Sequence, residues 1–188
     1  QSGIEHVPLD ELNKRNIQLT NIKGIHGSPM SEYVMSTVLY VTRDMGRFLY
    51  NQKRHIWDRK HLVDEAYGKT MAVFGAGTIG EAVAQKAKAF GMRVIGVNTS
   101  GRAKPPFDEM TTLADKNKVL EQSDFVLLLL PVTKETYHCI SFDELKQMKP
   151  TAWLINIGRG ALIDTDSLVS ALKHGTIRGA ALDVFEED

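Results

Sequence analysis

The chain has 188 residues, of which 43% are hydrophobic, and this ordinary content for a globular protein excludes an intrinsically disordered chain. Its 23 lysines and arginines balance 23 aspartates and glutamates, so no net field attracts nucleic acid or an anionic membrane. The single cysteine, Cys139, has no partner for an internal disulfide. The longest apolar run, residues 125–130, is far below the ~20 residues that a membrane span needs. We therefore expect a cytoplasmic protein without nucleic-acid or membrane partners.

The first quarter of the chain predicts a short strand over residues 17–22, followed by a long helix over residues 29–57. Ser28 is expected to be the N-cap of that helix and Pro29 its first residue. Apolar side chains recur along the helix at helical spacing: Val34, Val38, Val41, Met45 and Phe48. Periodicity alone leaves two partners open for this stripe, the core of the same chain or a second subunit.

The most informative segment is an apolar run, residues 70–74, that leads directly into the pattern G-x-G-x-x-G. We expect Gly75 to make the turn, Gly77 to admit a pyrophosphate, and Gly80 to allow the next helix to pack on the sheet. A glycine-rich turn without a ligand is the alternative. The strand before the glycines and the amphipathic helix after them favour a dinucleotide site.

The rest of the chain alternates between predicted helices and strands. Gly91 is expected to end the helix 79–90 in the left-handed conformation. The further predicted strands cover residues 93–97, 124–130, 152–156 and 179–183, and the further predicted helices cover 116–122, 142–147 and 165–173. This alternation predicts right-handed βαβ units and an α/β fold with a doubly wound parallel sheet of the Rossmann type.

Two polar residues follow predicted strands at the edge of the sheet where ligands of such folds bind. Arg159 lies between two glycines, where its guanidinium group could clamp a carboxylate through two parallel hydrogen bonds. Spacing alone favours an ordinary solvated arginine. Asp183 lies at the tip of the last strand, and its alternative interpretation is part of a solvated acidic loop.

These residues and several further stretches resemble the D-isomer-specific 2-hydroxyacid dehydrogenases, the family that includes phosphoglycerate, glyoxylate/hydroxypyruvate and D-lactate dehydrogenases. The resemblance extends over almost the whole chain. The matching stretches are residues 2–6, 29–33, 68–80, 88–92, 123–136, 155–160 and 179–188. The resemblance implies an oxidoreductase that transfers a hydride between a nicotinamide cofactor and the 2-carbon of a 2-oxo or 2-hydroxy acid.

The resemblance also implies roles for individual residues. Arg159 would bind the carboxylate and oxo groups of the substrate, and the backbone near Gly3 and Ile4 would help to hold the carboxylate. Asp183 would bind the nicotinamide carboxamide. The other residues that would line the cofactor are Thr78, Ile79, Pro131, Ile157 and Gly158. This division of roles suits a reaction in which an anionic substrate is anchored while its carbonyl group is polarised.

The chain departs from the family pattern at two places. The acid that orients the catalytic histidine is usually glutamate, whereas Asp188 occupies its position. The histidine itself belongs further along the family sequence, and we expect surface or structural roles for the six present here: His6, His26, His55, His61, His138 and His174. Because residue 1 is also not methionine, we expect a part of a longer enzyme: a substrate-domain remnant over residues 1–28 and a dinucleotide-binding domain over residues 29–188, with the Rossmann core at 68–188.

The residues after the second strand bear on the choice of cofactor. An NAD-selective protein would carry a carboxylate there to bind the ribose 2′-hydroxyl, whereas Asn98, Thr99 and Ser100 offer hydrogen-bond donors, and Arg102 adds a cation. We therefore favour NADP(H) over NAD(H). The alternative is a polar loop that tolerates either cofactor.

Three functions are compatible with these observations. The first is an NADP(H)- or NAD(H)-dependent 2-hydroxyacid dehydrogenase. The second is a non-catalytic dinucleotide sensor or corepressor, which the presence of Arg159 disfavours. The third is a structural module, which leaves Arg159 and the glycine loop unexplained.

The resemblance further implies a homodimer formed through residues 31–50. The 2-oxo acid itself stays open among glyoxylate, hydroxypyruvate, 3-phosphoglycerate and branched acids.

Overall fold

The centre of the fold is a sheet of parallel strands. The computed structural model describes residues 7–20, 22 and 24–186. Within this part of the chain the strands are β1 Thr70–Phe74, β2 Arg93–Val97, β3 Glu109–Thr111, β4 Phe125–Leu128, β5 Trp153–Asn156 and β6 Gly179–Leu182. They lie in the order β3-β2-β1-β4-β5-β6, and every neighbouring pair is parallel. The chain therefore runs outwards from β1 in both directions, which is the doubly wound arrangement that the sequence predicts.

Helices cover both faces of this sheet. They are α1 Leu9–Lys14, α2 Gly27–Thr42, α3 Met45–Lys53, α4 Thr78–Ala89, α5 Lys116–Gln122, α6 Phe142–Gln147 and α7 Thr165–Lys173, with short 3₁₀ turns at Leu113–Asp115 and Gly160–Leu162. The α2 and α4 helices pack on one face, and α5, α6 and α7 pack on the other.

The central strand β1 is almost entirely apolar because the sheet is buried on both faces there. All five residues of β1 are buried, and their side chains alternate between two core clusters. Met71 and Val73 join the cluster beneath α2 and α4, whereas Ala72 and Phe74 join the cluster beneath α5, α6 and α7. A continuous apolar run is the expected sequence of a strand that contributes to two cores.

Most of the predicted elements in the second part of the chain are confirmed. The strands β1 and β2 have the predicted bounds, as do α5, α6 and α7. Gly91 adopts φ +73° and ends α4, with hydrogen bonds from the Gly91 and Met92 amides back into the last turn of that helix. The predicted strand 124–130 is shorter, because β4 ends at Leu128.

The long helix predicted over residues 29–57 is two helices. Asp44 adopts the left-handed conformation, with φ +48° and ψ +44°, and separates α2 from α3. Helix α2 also begins earlier than predicted, at Gly27, so Ser28 is not its N-cap. The Ser28 hydroxyl instead donates a hydrogen bond to Glu32, 3.0 Å away.

The predicted apolar stripe divides at the same break. Val34 and Val38 on α2 are fully buried against the core, whereas Met45 and Phe48 on α3 are 42% and 40% exposed. The core interpretation is therefore confirmed for α2 only. Periodicity did not reveal the break because the apolar spacing continues across it, from Val41 to Met45 and Phe48.

The structure differs from the sequence prediction in two further ways. Residues 17–20 and 22, in the region predicted as a short strand, have no regular secondary structure. The strand β3 and the helix α1 were not predicted. An edge strand of three residues is too short to show a period, and it is stabilised by its pairing with β2.

Candidate functional site

A cleft of about 570 Å³ opens at the carboxyl ends of β1, β2 and β4. This position is where the order of the strands reverses, and open parallel sheets bind ligands there. Its lining residues are Ile22, Gly24, His26, Gly27, Gly75, Ala76, Gly77, Thr78, Ile79, Gly80, Asn98, Thr99, Leu129, Leu130 and Pro131. The walls are mainly apolar, with backbone amides and a few polar side chains between them, as in most cofactor sites.

The floor of the cleft begins with a turn that only glycine fits. Gly75 has φ +111°, and a Cβ atom there would lie 2.8 Å from the carbonyl carbon of Leu129. The Gly75 amide donates a hydrogen bond to the carbonyl oxygen of Val97, 2.9 Å away, which fastens the turn to the end of β2. The predicted turning role of Gly75 therefore has a direct steric cause.

Gly77 and Gly80 differ in what surrounds them. A Cβ at Gly80 would lie 2.5 Å from the carbonyl oxygen of Gly75, so this glycine allows α4 to pack against the turn. A Cβ at Gly77 would meet no atom within 4 Å, because this residue faces the cleft. Gly77 is the N-cap of α4 and has no capping side chain. The first amides of that helix therefore point towards the cleft, where a phosphate can accept their hydrogen bonds.

The loop after β2 forms the second wall of the cleft. The Asn98 side-chain oxygen accepts hydrogen bonds from the amides of Ser100, at 3.0 Å, and Gly101, at 2.7 Å. Because this oxygen is engaged by the loop, the group that Asn98 can offer to a ligand is its NH₂ donor. An ion pair between Lys104 and Glu81 connects the loop to the first turn of α4.

The predicted anion-binding residue, Arg159, follows β5 on a loop that a buried amide organises. The Asn156 side chain is fully buried. Its Nδ2 donates to the carbonyl oxygen of Arg159 at 2.9 Å, and its Oδ1 accepts from the amide of Gly158 at 3.1 Å. The Arg159 Nη1 donates to the carbonyl oxygen of Gly158, at 2.9 Å. Asn156 thus fixes the backbone from which the guanidinium group extends.

A third group of polar side chains lies in the segments that follow β4, β5 and β6. His138 Nε2 lies 2.9 Å from Glu186 Oε1, and its Nδ1 lies 3.5 Å from Asp164 Oδ2. The Tyr137 hydroxyl donates to the same Glu186 oxygen at 3.2 Å, and the adjacent carboxylate raises the pKa of that phenol. Hydrogen bonds from the side chain and backbone of Ser167 lower the pKa of Asp164. Both carboxylates flank the His138 ring.

The cleft brings together eight of the residues proposed from the sequence: Gly75, Gly77, Thr78, Ile79, Gly80, Asn98, Thr99 and Pro131. Ser100 and Arg102 are exposed on the loop after β2 and do not line the cleft. Asp183 is exposed after β6, and its amide donates to the carbonyl oxygen of Asn156. Gly3, Ile4 and Asp188 lie outside the described residues.

Two of the expected cofactor-lining residues are part of the interior. The Ile157 side chain is 5% exposed and packs in the core cluster beneath α2 and α4. Gly158 is buried, and a Cβ there would lie 3.2 Å from the carbonyl oxygens of Leu128 and Leu130. Neither residue lines the cleft.

Sequence reasoning missed part of the lining. His26 and Gly27 reach the cleft because α2 packs beside α4 and presents its first turn at this edge of the sheet. No local signal distinguishes them from any other helix start. Leu129 and Leu130 belong to the run predicted as a strand, and the end of β4 at Leu128 leaves them to line the cleft.

Among residues 7–20, 22 and 24–186, no group of three or more histidine, cysteine or acidic side chains is arranged to hold a metal ion. In the same part of the chain, every helix is too short or too polar to cross a membrane.

Comparison with known proteins places this geometry in context. Residues 35–188 match the sequence profile of the D-isomer specific 2-hydroxyacid dehydrogenase, NAD binding domain. The chain is 37% identical over 194 aligned positions to a glyoxylate reductase from Thermococcus gammatolerans. That alignment covers 99% of the chain and 58% of the relative. The chain thus spans less than two thirds of the length of the curated relatives it matches.

Solved structures of 2-hydroxyacid dehydrogenases are also similar to this chain. The fold is similar to that of a D-isomer specific 2-hydroxyacid dehydrogenase family protein from Aeromonas salmonicida, with a TM-score of 0.88 and 40% identity over 93% of this chain and 56% of that one. It is also similar to a D-lactate dehydrogenase from Aquifex aeolicus complexed with NAD and lactic acid. The TM-score there is 0.89, with 31% identity, over 100% of this chain and 56% of the other.

Proposed function

Because the chain belongs to the D-isomer-specific 2-hydroxyacid dehydrogenase family, we propose that it transfers a hydride between a nicotinamide dinucleotide and C2 of a small 2-oxo or 2-hydroxy acid. The observation that carries this proposal is the position of the Gly75 to Gly80 cleft and the Arg159 loop at one edge of the sheet. A cofactor and an anionic substrate bound at these two places would be neighbours. The non-catalytic alternative gains no support from the relatives.

The residues around the cleft fit a dinucleotide. The open space at the Cβ position of Gly77 allows a pyrophosphate to approach the backbone, and the first amides of α4 would donate hydrogen bonds to it. When bound, the nicotinamide ring supplies or accepts the hydride. Asp183, at the end of β6, would bind the carboxamide of that ring, and Thr78, Ile79 and Pro131 would contact the rest of the cofactor.

In this proposal Arg159 binds the substrate. Its planar guanidinium group pairs with a carboxylate through two hydrogen bonds and withdraws charge from the adjacent carbonyl oxygen. The backbone near Gly3 and Ile4 would hold the other side of the carboxylate. Reduction of the carbonyl carbon places negative charge on its oxygen, which then needs a proton. Asp188 would orient the histidine that supplies this proton.

We further propose that NADP(H) is preferred over NAD(H). No carboxylate lies at the end of β2 to repel a 2′-phosphate, and among the described residues the Asn98 NH₂ group donates no hydrogen bond within the chain. It is therefore available to a phosphate oxygen. Thr99 lies beside it in the wall of the cleft, and the exposed Ser100 and Arg102 follow on the same loop.

A paired measurement tests the function and the cofactor preference. The protein is titrated with NADPH and with NADH while nucleotide fluorescence is followed, and oxidation of each is then recorded with glyoxylate, hydroxypyruvate and branched 2-oxo acids. We expect tighter binding of NADPH and turnover with at least one acid. Tighter NADH binding with turnover would overturn only the cofactor preference. Binding without turnover of any 2-oxo acid in the full-length protein would overturn the enzymatic proposal.

We also propose a homodimer formed through α2 and α3. Tyr40, Met45, Phe48 and Leu49 on these helices expose between 40% and 48% of their surface, and a second copy would cover them. Sedimentation as a monomer at micromolar concentration would contradict this assembly. We place the enzyme in the cytoplasm. We also propose that residues 1–28 are a remnant of a substrate domain with its linker and that residues 29–188 form the dinucleotide-binding domain.

A further inference from the structure

The group around His138 joins three segments that all follow carboxyl ends of neighbouring strands. His138 itself lies in the connection after β4. Its amide donates to the carbonyl oxygen of Ala161, at 2.9 Å, and Ala161 lies two residues after Arg159. Its ring contacts Glu186, which follows β6. Through its backbone amide and its ring, this one residue therefore connects the loop that carries Arg159 with the segment after β6.

The segment after β6 lies directly against the arginine loop. A Cβ atom at Gly160 would fall 1.9 Å from the carbonyl carbon of Phe185, so a glycine is required for the two backbones to approach this closely. Asp183 is held at the start of the segment by a hydrogen bond from its backbone amide to the carbonyl oxygen of Asn156. Glu186 is the next residue of this segment with a side-chain hydrogen bond among the described residues, and its partners are His138 and Tyr137.

His138 is itself held in a defined place. Its backbone adopts the left-handed conformation, with φ +48°, which histidine adopts less often than glycine. Its ring stacks on Tyr137 at a centroid distance of 4.0 Å and an interplanar angle of 19°. The carboxylate of Asp164 lies beside its other ring nitrogen. With 26% of the side chain exposed, the imidazole is partly shielded from water, which strengthens its bond to Glu186.

We propose that His138 is a positioning residue of the 2-oxo acid site: through Glu186 it holds the segment 183–186 against the loop that carries Arg159. The role rests on the proposed function, since it serves the loop whose arginine would bind the substrate. Asn156 and His138 thus hold the two sides of the site, one beneath Arg159 and the other beside the acidic segment.

The test compares four variants of the full-length protein. His138→Ala removes the contact, His138→Gln keeps an N–H donor for Glu186, and Glu186→Gln keeps an acceptor without the charge. His174→Ala is the matched control, because that histidine is exposed and bonds to Ser170 on its own helix. For each variant, kcat and KM are measured with glyoxylate at saturating NADPH, together with NADPH affinity and backbone amide exchange over residues 183–188.

We expect His138→Ala to lower kcat by about 10- to 100-fold, because an ångström of displacement in an active site has an effect of this size. NADPH affinity should be unchanged, because the Asp183 amide keeps its own hydrogen bond to the carbonyl oxygen of Asn156. Amide exchange should rise only within residues 183–188, and His138→Gln should recover most of the kcat. The Glu186→Gln variant should lie between these two, and the control should behave as wild type.

Each other result has a defined meaning. Equal kcat values for His138→Ala and wild type would overturn the positioning role, as would a parallel loss of NADPH affinity or a glutamine variant as slow as the alanine variant. If the wild type binds NADPH but reduces no 2-oxo acid, the proposed function fails. Amide exchange then decides the structural part: a selective rise in residues 183–188 supports it, and unchanged exchange overturns it.

Discussion

The candidate site lies along the carboxyl ends of the strands, and its two halves are built in different ways. Around β1 and β2 the cleft consists largely of backbone. Its glycine turn can form only because Gly75 and Gly80 have no Cβ atom. Around β5 and β6 the structure depends on side chains, since Asn156 holds the Arg159 loop and His138 holds Glu186.

This difference corresponds to what each half has to recognise. A pyrophosphate is the same in every dinucleotide, and the amides of a helix N-terminus bind it without any particular side chain. A small anionic acid needs a cation at one place and a proton donor at another, so the positions of individual side chains decide the outcome. We therefore expect the first half to fail when atoms are added, and the second half to fail when hydrogen-bonding groups are lost.

The largest effect is expected at Arg159. Replacement by glutamine removes the cation that would pair with the substrate carboxylate, a change that typically costs about 2 to 5 kcal/mol, so kcat/KM should fall by about 30- to 5,000-fold. NADPH affinity should not change, because the cleft does not include this residue. Steady-state kinetics and nucleotide fluorescence measure the two quantities. A variant with normal kcat/KM would exclude Arg159 as the substrate anchor.

The next effect separates two glycines of the same turn. Gly75→Ala forces a Cβ against the Leu129 backbone at φ +111°, and we expect the free energy of unfolding to fall by about 2 to 4 kcal/mol. Gly77→Ala is the matched control, because its Cβ would meet no atom within 4 Å. That variant should keep its stability and lose NADPH affinity. Chemical denaturation and NADPH titration distinguish the pair, and equal stability of both variants would contradict the steric argument.

A smaller loss is expected at Asn156. Asn156→Ala removes the Nδ2 donor and leaves the carbonyl oxygen of Arg159, now 2.9 Å from that nitrogen, without this partner. Leaving a buried acceptor unpaired costs about 1 to 3 kcal/mol. Thermal unfolding should show this loss, accompanied by a lower kcat. Unchanged stability and kcat would show that the Arg159 loop does not depend on this amide.

The smallest effect is expected at Asn98. Asn98→Asp keeps an acceptor for the Ser100 and Gly101 amides, so the loop should retain its shape while a negative charge replaces the NH₂ donor. We expect the ratio of NADPH to NADH affinity to fall by about tenfold, the effect of one charge-assisted hydrogen bond. Parallel titrations with both nucleotides measure it, and an unchanged ratio would remove Asn98 from the cofactor assignment.

The sequence predicted the first half of the site better than the second. The Gly75 turn and the end of α4 at Gly91 are set by residues close together in the chain, where strand, turn and helix signals follow one another. The contact between His138 and Glu186 joins residues 48 positions apart, and neither has a local motif. Sequence reasoning accordingly assigned His138 no more than a surface or structural role.

The sequence by itself determined the alternation of strands and helices, because apolar period and turn residues act within a few positions of each other. It therefore predicted the bounds of β1, β2 and α7 without knowledge of their neighbours. Only the tertiary structure decided the helix break at Asp44 and the pairing of β3 with β2, since both depend on what packs alongside. The same holds for the placement of Ile157 in the core and of His26 in the cleft. Local hydrogen bonding selects the elements, while burial between distant segments decides which side chains reach the site.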